Sequence, residues 1–153
     1  MKPLTKIILA AVAGTSVMTL YSYYRAKKEK QQYIEPVLLN RLMDKSPYTP
    51  SKINDNHAAG WVAHYGVGIT FVTAYYFLYR KSLHVPGPIR ALLVGTASGA
   101  LAIAVWKLMF TSSDNPPQNN RYGYFRQLFI AHIIFSSVAL VGYKLLDTNT
   151  DEN

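Results

Sequence analysis

Four stretches of the chain are dominated by apolar residues: 4–24, 58–79, 89–110 and 126–146. Between them the sequence turns polar, charged and punctuated by proline. A helix from Ile7 to Tyr24 rises roughly 27 Å, close to the hydrocarbon thickness of a bilayer, about 30 Å. Short connections after the second and third stretches imply antiparallel neighbours. The pattern therefore predicts an all-α fold, a membrane four-helix bundle that forms one integral membrane domain over residues 1–153.

A cleaved signal peptide competes for the first stretch, because Lys2 and Lys6 precede an apolar run in which Ala11-Val12-Ala13 looks like a cleavage site. Cleavage there would leave a very short signal, and the apolar character continues to Tyr24, so an uncleaved span is expected. The polar segment 31–57 has Pro36 placed to open a helix, and Pro47 and Pro50 placed to stop one. Within it Leu38, Leu39, Leu42 and Met43 stand opposite Asn40, Arg41 and Asp44. This spacing predicts a short amphipathic helix over 36–45, lying at the membrane interface or docked as an ordinary loop helix. Residues 147–153 read as a disordered acidic tail.

Half of the residues are apolar, yet mean hydropathy is near neutral, because the charges crowd into the gaps between the apolar stretches. The formal charge is +8. Lys and Arg lie mostly beside the apolar stretches, where anionic lipid headgroups are nearer partners than nucleic acid, and no nucleic-acid motif accompanies them. Nine of them (Arg25, Lys27, Lys28, Lys30, Arg41, Lys45, Lys52, Arg121, Arg126) fall on one side of the predicted bundle. Six (Lys2, Lys6, Arg80, Lys81, Arg90, Lys144) fall on the other. That asymmetry predicts a multi-pass protein of the bacterial cytoplasmic (inner) membrane with both termini outside. The absence of cysteine excludes disulfides, thiolate metal sites and a lipidated cysteine.

Polar residues inside the stretches converge. The antiparallel order puts the end of span one, the start of span two, the end of span three and the start of span four in one leaflet. There lie Trp61, His64 and Tyr65, then Trp106 and Lys107, then His132. Gly60, His64 and Gly68 recur at i, i+4 and i+8, a stripe of small bulk that admits another helix or a flat ligand. His132, Ser136, Ala139 and Tyr143 share a face of span four; Gly95 and Gly99 form a GxxxG pair on span three; Thr15, Thr19 and Ser22 line up on span one, which also carries Gly14. These small and hydroxyl faces predict helix packing.

Ionisable groups inside a membrane segment are costly to bury and are candidates for function. The plainest reading of each histidine is a neutral imidazole bonded to a neighbouring helix. Lys107 reads as a snorkelling side chain, and the tryptophans, with Tyr21, Tyr23 and Tyr24, as an interfacial aromatic belt. Two sharper readings centre on His64 and His132: axial ligation of a b-type haem, and proton-linked transport. A metal site recruiting His57 is weaker, since seven helical residues separate it from His64 by about 10 Å. No haem-attachment motif is present and no cofactor is expected. Glu35, Asp44, Asp55 and Asp114 all lie in loops, and no serine-hydrolase elbow, phosphate loop or zinc-protease helix occurs. The expectation is a non-catalytic subunit or partner-binding component in contact with lipid, other membrane proteins or itself.

Four segments carry a resemblance: Gly14-Thr15-Ser16-Val17-Met18-Thr19, Glu35-Pro36-Val37-Leu38-Leu39-Asn40, Trp61-Val62-Ala63-His64-Tyr65-Gly66-Val67-Gly68, and the run from Pro116-Pro117 through Tyr124-Phe125-Arg126-Gln127-Leu128 to Ala131-His132. Together they resemble a family of small, uncharacterised four-span bacterial inner-membrane proteins, and more loosely the YagU-like proteins. The resemblance implies an inner-membrane location and four spans, and it carries no activity.

Overall fold

The computed structural model describes residues 1–46 and 52–148, and over these the chain is helical with no strand. Six helices follow in order: α1 (Pro3–Glu29), α2 (Glu35–Asp44), α3 (Ala58–Leu78), α4 (Arg80–His84), α5 (Pro88–Thr111) and α6 (Arg121–Thr148). Pro47, Pro50 and the tail from 149 onward lie outside the described residues.

Helix ends follow local chemistry. Pro3 and Pro88 sit in first turns, where a missing N–H removes no helical bond. α1 continues past the apolar stretch to a left-handed Lys30 (φ 52°), whose N–H returns to the Ala26 carbonyl. Its last turn carries Lys27 and Lys28, which suit the negative end of the helix dipole. At Tyr79 the backbone leaves the helical region, and α4 follows as a separate turn where the sequence reads only as a connection. Leu83 anchors that turn, fully buried. α6 begins five residues before its apolar stretch because Asn120 caps it, with Oδ1 accepting the Gly123 N–H at 3.1 Å.

α6 lies between α1 and α5, while α3 packs on α1 and α2. The helices approach closely where glycine faces a bulky neighbour: Gly14 meets Phe135, Gly99 meets Phe129, and a Cβ on Gly95 would lie 2.7 Å from the Ile133 Cα. Gly68 sits against Thr15. At one end, Asp147 accepts from Lys6 Nζ at 2.8 Å and is paired with His84 Nδ1 at 2.8 Å. Asp147 therefore belongs to the last turns of α6 and ties it to α1 and α4, where the sequence reading assigned it to a disordered tail.

α2 is docked. Leu38 is fully buried, and so is Asn40, which the sequence pattern assigned to the polar face. The reason is that Asn40 closes the start of α3: its Nδ2 donates to the carbonyls of Asp55 (3.0 Å) and His57 (2.8 Å), and its Oδ1 accepts the Gly60 N–H (2.8 Å). Arg41 adds a two-pronged pair with Asp55, at 2.9 and 2.6 Å.

The exterior is apolar. Leu20, Phe77 and Leu93 are 69, 75 and 65% exposed, a surface that water would not tolerate over a large area. Among the described helices, α1, α5 and α6 are long and apolar enough to cross a membrane by length and composition. α3, at 21 residues, has the length, but His64, Trp61, Tyr65, Tyr75 and Tyr76 dilute its apolar character.

The α2–α3 contact is testable through two glycines of one helix. A Cβ on Gly60 would collide with the Pro36 carbonyl and lie 2.7 Å from Asn40 Oδ1, whereas one on Gly66 meets nothing within 4 Å. Gly60→Ala should lower stability by about 1–3 kcal/mol. Gly66→Ala should be neutral or stabilising by up to about 1 kcal/mol. Thermal unfolding in detergent checks both, and equal midpoints for the two variants would contradict the docking.

Candidate functional site

A cavity of about 160 Å³ lies where the end of α5 and the start of α6 face α1, α2 and α3. Its wall is mostly apolar, with Val67, Phe71, Leu101, Val105, Trp106 and Phe135 among the lining residues. Val67, Leu101 and Val105 are also exposed on the outer surface, so the cavity lies behind an opening between α3 and α5. Its polar residues are Thr15, Glu35, His64 and His132.

The two histidines have readable tautomers. Thr19 Oγ1 donates back to the Thr15 carbonyl at 2.7 Å, which uses its only proton. The imidazole nitrogen 2.9 Å from the same oxygen, His64 Nε2, must then be the N–H donor, and Nδ1 keeps its lone pair. His132 Nδ1 donates to the Leu128 carbonyl at 2.9 Å, which leaves its Nε2 as the acceptor. Each ring is thus held by one N–H bond to its own or a neighbouring helix, and its second nitrogen is not used in that bond. Phe71 packs edge-on against His132, with centroids 5.4 Å apart.

Glu35 completes the cluster. The sequence reading left it in a loop; in the structure it opens α2 and turns into the interior, fully buried. Its Oε1 accepts from Ser22 Oγ at 2.8 Å and from Gln127 Nε2 at 3.2 Å. Gln127 also reaches the Tyr33 carbonyl at 3.4 Å. Oε2 has no partner, and neither has the buried Thr15 Oγ1. No cation pairs with this carboxyl among the described residues, and burial pushes it up to about 7.

Glu29 is the contrasting case. Arg25 and Arg126 both pair with it, and the Tyr33 hydroxyl donates to its Oε2 at 2.7 Å. Burial and that carboxylate push the Tyr33 phenol up to about 12. One carboxyl is therefore held ionised at the rim by two guanidiniums, and the other sits inside without a counter-charge.

Of the residues singled out from sequence, the cavity gathers His64, His132 and Trp106. Tyr65 and Trp61 lie elsewhere on α3: Tyr65 OH bonds to Ser16 Oγ at 2.9 Å on α1, and the two rings stack. Lys107 is exposed and takes no part in the lining. Sequence reasoning missed Glu35, Gln127 and the cap residue Asn40. Only the Glu35-Pro36 pair, a carboxylate beside a helix-opening proline, could have drawn attention to the first. Among the described residues no group of three or more His, Asp and Glu is placed to hold a metal ion. His64 and His132 are the two that could ligate a cofactor, through their free nitrogens. The chain matches no protein-family model, no curated protein and no solved structure.

The lone carboxyl makes stability depend on pH. Its value rises from the ordinary 4.5 to about 7 on folding, so the native state holds the proton more tightly than the unfolded chain. The stabilisation from the neutral form is complete below about pH 4.5, is lost as pH rises through about 7, and is absent above it. The loss amounts to about 3 kcal/mol. The buried Tyr124 phenol, which feels the Glu35 charge, stays protonated over this pH range, so the difference between wild type and variant reports the carboxyl. Glu35→Gln should therefore unfold at nearly the same temperature as wild type at pH 4.5 and at a higher relative temperature at pH 8. Parallel pH profiles would show that the carboxyl is not buried alone.

Proposed function

We propose that the chain is a four-span protein of the bacterial cytoplasmic membrane, with a non-catalytic role: it holds a small lipid-soluble ligand in the cavity between α3 and α5. The observation that carries this reading is a largely apolar cavity with Glu35, His64 and His132 among its lining residues and its opening on the apolar exterior. A soluble ligand would have no route to such an opening, whereas a molecule dissolved in lipid reaches it by lateral diffusion. The one hydroxyl–imidazole pair, Thr19 with His64, has its hydroxyl proton directed at the Thr15 carbonyl rather than at the ring, which favours binding over chemistry.

Two features support α3 as the fourth span. It rises about 31 Å, and Val62, Val67, Phe77 and Leu78 on its outer face are exposed. The excess of Lys and Arg at the end that carries α2 favours placing that end in the cytoplasm, with both termini outside.

The chain has no native cysteine, so single-cysteine variants report topology directly. Lys81→Cys should react with a membrane-impermeant maleimide in intact spheroplasts, and Asn56→Cys only after lysis. The opposite pattern reverses the orientation, and equal labelling of both sites removes α3 as a span. For the binding role, purification in mild detergent followed by absorption spectroscopy and mass spectrometry of the organic extract should recover a lipid-soluble compound at about one per chain. Repeated recovery of the bare chain would count against it. A Soret band lost on substituting either His64 or His132 would replace it with haem ligation.

A further inference from the structure

Along α5 the lining of the chamber continues outward into a second cavity. Leu101, Val105 and Met109 line the first, and Met109, Ser112 and Ser113 line the second, about 500 Å³, at the end of the helix. Positions 101, 105, 109 and 112 are spaced i, i+4, i+8 and i+11, so they share one face. α2 repeats the pattern, with Leu39 in both linings and Leu42 and Met43 in the outer one. Two helices thus carry one groove from the middle of α5 to its end. From Leu101 to Ser112 it runs about 17 Å, close to the hydrocarbon depth of a single leaflet, about 15 Å.

The chemistry changes along this groove. Its inner part is walled by apolar side chains such as Val67, Phe71 and Val105. Its outer end holds the hydroxyls of Ser112 and Ser113, the ammonium of Lys45 and the carboxylate of Asp114. Both charged side chains are exposed, and neither enters an ion pair among the described residues. The last carbonyls of α5, which ends at Thr111, add negative character at the same place. An occupant that fits is apolar over about one leaflet and carries a negative and a positive group at its head.

Resting on the binding role above and naming its ligand, we infer that the groove seats one phospholipid of the phosphatidylethanolamine type. Its phosphate accepts from Lys45 and the serine hydroxyls, its primary ammonium donates to Asp114, and one acyl chain enters the chamber between α3 and α5. Other lipids with the same chains fit less well. Phosphatidylglycerol brings an anion and no cation, which leaves Asp114 facing like charge. Phosphatidylcholine brings a cation with no N–H to donate to the carboxylate. Diacylglycerol leaves Lys45 without an anion. Because both charges are exposed, each contributes a few-fold in affinity.

The test uses the full-length chain, washed free of lipid in detergent and carrying Trp61→Phe, so that Trp106 is its one tryptophan. Trp106 belongs to the inner lining, about 9 Å below Ser112 along α5. Phosphatidylethanolamine with acyl chains brominated at mid-length should quench its fluorescence saturably, at one lipid per chain. The brominated phosphatidylglycerol and phosphatidylcholine should need about three- to ten-fold more lipid for half-quenching. Asp114→Asn should bring phosphatidylethanolamine and phosphatidylglycerol to within about two-fold of each other, and Lys45→Gln should weaken both about three-fold. Equal quenching by all three lipids, or a preference that survives Asp114→Asn, overturns the headgroup assignment and leaves the lipid-soluble binding role standing. If none quenches while another compound co-purifies, the phospholipid falls and that role stands. If none quenches and nothing co-purifies, both readings fall.

Discussion

Polar groups carried into this bundle have to find partners within the chain, because its outer surface offers none. The exterior is Leu, Val, Ile and Phe along most of its length, and in such surroundings an unsatisfied hydroxyl or amide costs several kcal/mol. Hydroxyls therefore bond back to their own helices: Thr19 to Thr15, Ser98 to Val94, Ser136 to His132. Where three helices meet, one phenol lies between two of these hydroxyls and has a proton for one of them, with Tyr75 at 2.6 Å from Ser98 and 3.0 Å from Ser136. The small faces predicted for α1, α5 and α6 serve the same end, since only a close backbone approach lets short side chains reach across.

Against that rule of satisfaction the cavity stands out. Thr15, Glu35 and Tyr124 each keep a buried oxygen without a partner, and two of the three line the same space. Elsewhere the chain uses costly means to satisfy even a loop: the Asn40 amide bonds to three backbone groups in order to start α3. The fold satisfies every polar atom of Asn40 at one end of α2 and leaves Glu35 Oε2 without a partner at the other. Glu35 and Asn40 are five residues apart on that helix.

The sequence made the long helices legible because hydrophobic periodicity and length are strong signals, and α5 falls within one residue of its expected range at either end. It also made His64 and His132 legible, since an imidazole inside an apolar run is rare enough to notice. Ends were less legible: α1 and α6 extend by five residues beyond their apolar stretches, through charged turns that tertiary contacts stabilise. Asn40 was not legible, and Glu35 only through the proline beside it. Both sit in a polar connection, where a buried role depends on how α2 folds back, and no local pattern encodes that return. Lys107 and Tyr65 show the converse, because sharing a depth with the histidines does not mean sharing a face with them.

The place of α6 in the chain has a consequence for assembly. It follows the other five described helices in the chain, yet it is the one that separates α1 from α5, and it carries both Gln127 and His132. Until it arrives, α1, α2 and α3 can pair through Ser22, Glu35 and Asn40, but one wall of the chamber and one of the donors to Glu35 are missing. The chamber is therefore closed only once α6 is in place. A chain halted before α6 would lack Leu128, His132 and Phe135, and with them one side of the chamber.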